Sequence, residues 1–190
     1  MIITHFENGC FKLQSGETSI LINPENNRLK ADIVLKTITS TLEDVIVSDL
    51  SSGVISFPGE YEINGISITG FPLTGESTDK FLKTAYLLSW EDLNIVLLGH
   101  CSDPIPASLM EEFIEADILF LPVGGHFLEP SVAARTVKQI EAKIVIPYFS
   151  KEYSEFLKAL GQKADSMEKF VFKKKDILSE KGRPILLTEL

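Results

Sequence analysis

Three histidines carry most of the side-chain chemistry that this sequence offers, and each lies at or just after a predicted strand. They are His5, His100 and His126. His100 is followed by Cys101 and then by Asp103, so an imidazole, a thiol and a carboxylate lie close together in the chain. Such a cluster can bind a metal ion or activate a nucleophile. Its spacing matches no closed metal site, however, and a loop histidine beside a turn-forming aspartate is the ordinary interpretation.

Other motifs for group-transfer chemistry are missing from the sequence. It contains neither the dinucleotide fingerprint G-x-G-x-x-G, nor the phosphate loop G-x-x-x-x-G-K-[ST], nor the nucleophile elbow G-x-S-x-G. Glu60 and Glu62 alternate along a predicted strand and so share one face, where a solvated sheet surface is more common than an acid–base pair. Cys10 and Cys101 are expected to be small, buried apolar residues.

The elements that position these residues change character along the chain. In the N-terminal half, short alternating or apolar runs predict strands and hairpins, and Asn64-Gly65 between two such runs is the strongest hairpin signal. In the C-terminal half, strands predicted at residues 118–123 and 143–147 alternate with helices. The predicted helices span residues 108–116, 131–142 and 154–160. Ser131 is the expected N-cap of the second helix, and Gly161 ends the third.

Length and charge limit the class of protein. A chain of 190 residues is long enough to bury a sizeable core, and the sequence shows no domain boundary, so we expect one domain over residues 1–190. The net charge of −9 argues against nucleic acid or a membrane surface as a partner. Two distant cysteines and an N-terminus without signal-peptide features favour a reducing cytoplasm.

Several segments, in chain order, resemble the metallo-β-lactamase-fold hydrolases of the ascorbate-6-phosphate-lactonase-like branch. The segments read ENGCFKL at residues 7–13, LINP at 21–24, FPGEYEING at 57–65, ILFLPVGG at 118–125 and IVIP at 144–147. The third is the most specific, because many members of that branch carry PGEYE before a glycine turn. The resemblance implies a mixed α/β fold, a four-layer αββα sandwich, which agrees with the predicted hairpins and with the alternation of strands and helices.

The same resemblance implies a metal site that the sequence does not reproduce. The family binds its metal ions through H-x-H-x-D-H after the strand that resembles residues 31–35. In this chain other side chains stand at the family's ligand positions, and several of them have no lone pair to give a metal ion. The positions concerned are Ile38, Ser40, Glu43, His100 and Phe149. These five residues are therefore expected to line a relict cleft, with no catalytic residue, no metal ligand and no cofactor.

Three hypotheses about function follow from the preserved framework and the altered ligand positions. The first is a catalytically inactive binding or structural module, acting in a homo-oligomer or beside a protein partner. The second is a metal-dependent hydrolase with a rebuilt site near His100, drawing on Cys101, Asp103, His126 or Glu43. The third is a small-molecule binder that uses the emptied cleft, because apolar lining with a few polar groups suits a ligand pocket.

Overall fold

The described part of the chain, residues 1–41 and 53–190 of a computed structural model, is built mainly from strands. In chain order they are β1 (Ile2–His5), β2 (Phe11–Ser15), β3 (Thr18–Ile22), β4 (Ile33–Leu35), β5 (Ile38–Ser40), β6 (Val54–Ile55), β7 (Gly59–Ile63), β8 (Ile66–Pro72), β9 (Phe81–Trp90), β10 (Leu93–Leu97), β11 (Ile118–Pro122), β12 (Ile144–Tyr148), β13 (Asp165–Met167), β14 (Lys169–Val171) and β15 (Arg183–Leu187). The helices are α1 (Ala107–Glu111), α2 (Pro130–Ile140), α3 (Ser154–Leu160) and α4 (Lys174–Ile177), and a 3₁₀ turn spans Glu7–Gly9.

The strands of the described ranges form two sheets that pack face to face. The first sheet has the order β14-β1-β2-β3-β4-β6. The second has the order β13-β15-β12-β11-β10-β9-β8-β7, and β5 pairs with β9 beside it. Apolar side chains from both sheets fill the space between them, and the ring of Phe11 in β2 meets that of Phe120 in β11 edge to face at 4.9 Å. The mixed α/β fold expected from the sequence is confirmed.

The helices α1, α2 and α3 cover the outer face of the second sheet. Strand β11 shows why both faces of this sheet are buried, because its side chains alternate between two cores. Ile118 and Phe120 point into the core between the sheets, whereas Leu119 and Leu121 pack with the helices. Helices from the described ranges are all too short or too polar to span a bilayer.

Parallel pairing brings several strand ends to one edge of the molecule. In the second sheet, β10 pairs in parallel with β11, and β11 with β12. In the first sheet, β3 pairs in parallel with β4. The loops that follow parallel neighbours leave the sheet on the same side, which is where α/β proteins commonly place their sites. This edge carries the candidate functional site.

Some predicted element bounds are wrong. The helix expected at residues 108–116 ends at Glu111, because the chain continues in turns to Glu115, which has a φ of 60°. The second helix starts at Pro130, so Glu129 rather than Ser131 is its N-cap, since a proline's fixed φ suits the first helical position. Helix α3 and its end at Gly161 are confirmed. The Asn64-Gly65 turn is also confirmed, with φ values of 53° and 74°.

Candidate functional site

The side chains of Asn23, Thr37 and His100 form a hydrogen-bonded chain that holds the imidazole of His100. His100 follows β10, and its Nδ1 lies 2.8 Å from the hydroxyl oxygen of Thr37, which follows β4. Thr37 is in turn held by Asn23, which follows β3. The Asn23 Nδ2 donates to Thr37 Oγ1 at 2.9 Å, and Asn23 Oδ1 accepts from the Thr37 backbone N–H at 2.8 Å and lies 3.1 Å from its hydroxyl. The two sheets are thus joined through these side chains at the edge where their parallel strands end.

Two further features fix the backbone just before His100. A Cβ on Gly99 would lie 2.5 Å from the Cβ of Thr37, so only glycine allows Thr37 to approach this closely. The hydroxyl of the buried Tyr148 donates to the carbonyl oxygen of Gly99 at 2.5 Å. Burial raises the pKa of Tyr148 well above its ordinary value, so this phenol stays protonated and keeps donating.

His100 is uncharged at neutral pH. Burial lowers its pKa to about 4, and the positive charge of Lys83 adds to the shift. A neutral imidazole has one nitrogen that donates and one that accepts. When the Thr37 hydroxyl donates to Asn23 Oδ1, the Nδ1–H of His100 donates to Thr37 Oγ1. The lone pair then lies on Nε2, which is the arrangement of a general base.

Aromatic rings form the apolar side of the same site. The ring of Phe149, which follows β12, stacks on that of Phe127, which follows β11, with centroids 4.2 Å apart and planes 12° apart. The imidazole of His100 lies 5.3 Å from the Phe149 ring and 6.0 Å from the Phe127 ring. His100, Phe127 and Phe149 are all half-buried, so part of each ring reaches the surface.

The buried carboxylate of Glu76 holds the residues after His100 through hydrogen bonds. Glu76 accepts hydrogen bonds from the Ser102 backbone at 2.7 Å, the Ser102 hydroxyl at 2.6 Å and Lys83 Nζ at 2.8 Å. The Asp103 backbone N–H and the Cys101 thiol donate to its other oxygen. Burial alone would raise the pKa of Glu76, but the hydrogen bonds from Lys83, Ser102 and Asp103 outweigh it and bring the pKa to about 2. This carboxylate is therefore ionised at every working pH.

The suggested cluster of His100, Cys101 and Asp103 does not converge. The thiol of Cys101 points to Glu76 and the Asp103 carbonyl, and burial together with the charge of Glu76 raises its pKa far above neutral. Such a thiol is not a nucleophile. The exposed Asp103 lines a separate cavity of about 330 Å³. His126 is exposed on the turn after β11, so these residues do not form a rebuilt site with His100.

The structure describes four of the five positions that were expected to line a relict cleft. His100 and Phe149 lie together, as their ring distance shows. Ile38 and Ser40 lie in β5, opposite Lys83 and Phe81 of β9, and both are half-buried. Glu43 falls outside the described residues. The sequence does not predict strand β5, a three-residue strand that pairs with β9.

Thr37, Asn23 and Phe127 are site residues that were not singled out from the sequence. Asn23 lies in the LINP segment at residues 21–24, and Thr37 directly precedes Ile38 of the expected relict cleft. Each of the three follows a predicted strand, and that position is the one local signal they carry. Their meeting with His100 depends on strand order and on parallel pairing, which the sequence does not state.

The described side chains around His100 do not form a donor set for a metal ion. Across residues 1–41 and 53–190, no three side chains of His, Cys, Asp or Glu come together closely enough to hold one. The neighbours of His100 are a threonine hydroxyl and two phenyl rings, and phenyl rings give no lone pair to a hydrolytic metal.

The chain folds as a two-sheet α/β sandwich, and its candidate site lies where parallel strands of both sheets end. The family model described as "Beta-lactamase superfamily domain" matches residues 2–148. This chain belongs to that family.

Three similar proteins illustrate the relationship. A UPF0173 metal-dependent hydrolase from Methanopyrus kandleri is 28% identical over 98 residues, which cover 47% of this chain and 43% of that protein. A UPF0173 metal-dependent hydrolase from Pyrococcus horikoshii is 28% identical over 123 residues, which cover 56% and 53%. The chain thus spans about half the length of the curated relatives it matches. The crystal structure of a proposed Zn-dependent hydrolase of the metallo-β-lactamase superfamily from Thermotoga maritima shares the fold, with a TM-score of 0.77 at 23% identity over 99% of this chain and 98% of that one.

These comparisons correct one expectation. The hypothesis of a catalytically inactive binding or structural module is wrong, because the similar proteins are named as metal-dependent hydrolases. It rested on the replacement of side chains at several of the family's ligand positions, among them Ile38, Ser40 and Phe149. Loss of those ligands concerns metal binding alone, whereas hydrolysis also proceeds through a histidine base. Of the alternative hypothesis, a metal-dependent hydrolase with a rebuilt site near His100, the comparisons support the metal-dependent hydrolase.

Proposed function

We propose that this chain is a hydrolase whose reaction centre is the cleft at His100, with the His100 imidazole as the base that takes a proton from the attacking water. The observation that carries the proposal is the contact between Nδ1 and the Thr37 hydroxyl, which Asn23 holds in turn. A base needs one nitrogen fixed by a partner and the other free to act. Among the described residues, Nε2 of His100 has no hydrogen-bond partner.

The proposed reaction is an addition of water across an acyl or similar bond. His100 Nε2 accepts a proton as the water oxygen bonds to the electrophilic atom, and the imidazolium then returns that proton to the leaving group. The low pKa of His100 keeps it in the accepting form before each cycle and makes the imidazolium a strong acid for the second step. Thr37 Oγ1 accepts from Nδ1–H in both steps, so the ring keeps its orientation.

The proposal also includes the lactonase-like branch of the family and the cytoplasm as the cellular compartment. Similarity to the ascorbate-6-phosphate-lactonase-like branch makes a lactone one of the substrates to be tried. Cys10 and Cys101 are both buried and free, which supports the reducing cytoplasm as the compartment. A homo-oligomer or a protein partner stays a proposal, which light scattering of the purified chain addresses.

The test is a substrate panel on protein purified without a metal-affinity tag. The panel contains a carboxylic ester, a lactone and a phosphodiester, each assayed with chelator-treated and with metal-supplemented protein, and metal per chain is measured by elemental analysis. We expect turnover of at least one substrate that survives chelation, since proton transfer by His100 requires no metal. Absence of turnover under every condition would refute the hydrolase, and activity that disappears with chelator would refute His100 as its base.

A further inference from the structure

The phenyl rings of Phe127 and Phe149 form a stacked pair beside His100. Phe127 and Phe149 belong to loops after different strands, yet their faces stack within 12° of parallel. Both remain half-buried, whereas core phenylalanines such as Phe120 and Phe156 are fully buried. Part of this stacked pair therefore reaches the surface next to the candidate base.

The backbone at Phe149 is strained in order to place its ring. Phe149 has a φ of 71°, in the left-handed region, where an L side chain is disfavoured. The other non-glycine residues of the described ranges with positive φ are Asn, Asp or Glu, so Phe149 is the one apolar side chain among them. Strain of this kind is kept where a side chain's position matters, and it is commonest at functional sites.

Gly9 makes room for the strained ring. A Cβ on Gly9 would lie 2.7 Å from Cζ of Phe149 and 2.8 Å from its Cε1, closer than real contacts allow. The 3₁₀ turn that contains Gly9 thus closes against the edge of the ring, and the ring of Tyr148 supports it at 4.7 Å. The Gly9 turn and the Tyr148 ring therefore hold Phe149 from two sides, while its ring stacks on that of Phe127.

We propose that Phe127 and Phe149 form a subsite for a flat, uncharged aromatic group of the substrate, next to the bond that His100 helps to hydrolyse. This inference rests on the proposed function. An aromatic ring gains from offset or edge contacts with other rings beyond the area it buries. An anionic group gains little here, because Lys83, the cation that acts on His100, is already paired with Glu76 at 2.8 Å and donates to Ser102 at 3.1 Å. The substrate class is thus an ester or lactone with an aromatic ring close to the scissile carbonyl.

Binding tests the subsite without relying on turnover. The probes are 2-naphthol and its saturated counterpart decahydro-2-naphthol, which share a carbon skeleton but differ in flatness. Titrations are followed through the imidazole C–H signals of His100 by NMR. We expect 2-naphthol to give saturable shifts through its ring current, and decahydro-2-naphthol to bind at least several-fold more weakly. Equal affinity for the two alcohols, or no saturable shift at His100, would overturn the proposal.

Matched variants locate the subsite. Phe149→Leu and Phe127→Leu keep an apolar side chain but remove a ring face, so each should weaken binding of 2-naphthol about two- to tenfold. Phe71→Leu is the control. Phe71 packs with the core between the second sheet and the helices, and its ring lies 5.4 Å from that of Phe113. Unfolding curves identify a variant that does not fold, and the second ring variant then decides. Wild-type affinity in both ring variants would overturn the proposal.

Turnover separates this inference from the proposed function. Hydrolysis of 2-naphthylmethyl acetate is compared with that of decahydro-2-naphthylmethyl acetate, because both esters release a primary alcohol and differ in the flatness of the ring system. Faster hydrolysis of the aromatic ester, lost in Phe149→Leu, supports both proposals. Aromatic binding without any hydrolysis would retain the subsite and refute the hydrolase, whereas equal hydrolysis of the two esters would retain the hydrolase and overturn the subsite.

Discussion

At the scale of single residues, the orientation of His100 depends on the hydroxyl of Thr37. Replacement of Thr37 by valine keeps the side chain's shape but removes the partner of His100 Nδ1 and of Asn23 Nδ2. We expect kcat to fall about tenfold or more with KM unchanged, because the base is no longer held. The free energy of unfolding should fall by about 1–3 kcal/mol, since buried polar groups lose their partners.

Thr39→Val is the matched control for this variant. Thr39 donates to the carbonyl oxygen of Ser56 at 2.8 Å and makes no contact with His100. Its replacement also removes one hydroxyl from a neighbouring position, so it should lower stability while kcat stays at the wild-type value. An equal loss of kcat in both variants would show that Thr37 acts only through stability.

The low pKa of His100 predicts that stability falls in mild acid while activity stays constant. The folded residue has a pKa of about 4, against 6.5 for an exposed histidine, so only the unfolded chain takes up this proton between those values. The contribution of His100 to stability is therefore complete above pH 6.5 and falls as the pH falls to about 4. Activity should nevertheless stay constant from pH 8 to pH 5, because the folded base remains neutral.

Urea unfolding and kcat/KM measured over the same pH range check this prediction. His100→Gln is the reference for stability, because burial also lowers the pKa of His5 and the two contributions must be separated. The difference in unfolding free energy between the two proteins should change between pH 6.5 and 4. A half-maximal activity near pH 6.5 would show that the base is an ordinary, solvated histidine.

At the scale of elements, the loop after β10 is positioned by a residue of a distant loop. Glu76 receives its hydrogen bonds from Lys83 and from three consecutive residues after His100, and only 7% of its side chain is exposed. Glu76→Gln removes the charge and turns a donor toward other donors. We expect it to lower the free energy of unfolding by about 2–4 kcal/mol at pH 7.

The pH dependence and a surface control make the prediction for Glu76 specific. The folded pKa of Glu76 is about 2 against an ordinary 4.5, so its contribution is present above pH 4.5 and is lost as the pH falls toward 2. The gap between wild type and Glu76→Gln should shrink over that range. Asp165→Asn removes an exposed ion pair to Arg183 and should cost less than about 1 kcal/mol. Equal losses in the two variants would contradict the structural role of Glu76.

Local signals predicted the elements better than they predicted the site. Helix α3 was predicted with its correct bounds, because Gly161 ends it and its apolar residues recur at helical spacing. Strand β5 was missed, since a three-residue strand that pairs with β9 gives little local pattern. His100 stood out by its residue type and its place after a strand. The partners that make it a candidate base come from β3 and β4, and their arrival there is a property of topology.

At the scale of the whole molecule, the second sheet separates two cores. Leu119 packs with the helices and Leu97 with the first sheet, although they lie on neighbouring strands. We therefore expect Leu119→Ala and Leu97→Ala to lower the free energy of unfolding by similar amounts, about 2–5 kcal/mol each. Glu60→Ala on the exposed face of β7 should change it by less than about 0.5 kcal/mol.

Urea unfolding of the three variants tests this arrangement. A cost below about 1 kcal/mol for either leucine would mean that one face of the sheet is not covered as described. The two cores matter for the site, because the strands that end at His100, Phe127 and Phe149 are held from both faces. A rigid sheet edge is what allows the loops to keep their side chains in place.

The most direct test of the central claim compares two histidine variants on a substrate that the wild-type protein hydrolyses. His100→Gln removes the proposed base, and His126→Gln changes an exposed histidine on the turn after β11. The account predicts that kcat falls at least about 100-fold in His100→Gln and stays at the wild-type value in His126→Gln, with both proteins folded. Wild-type kcat in a folded His100→Gln protein would contradict it.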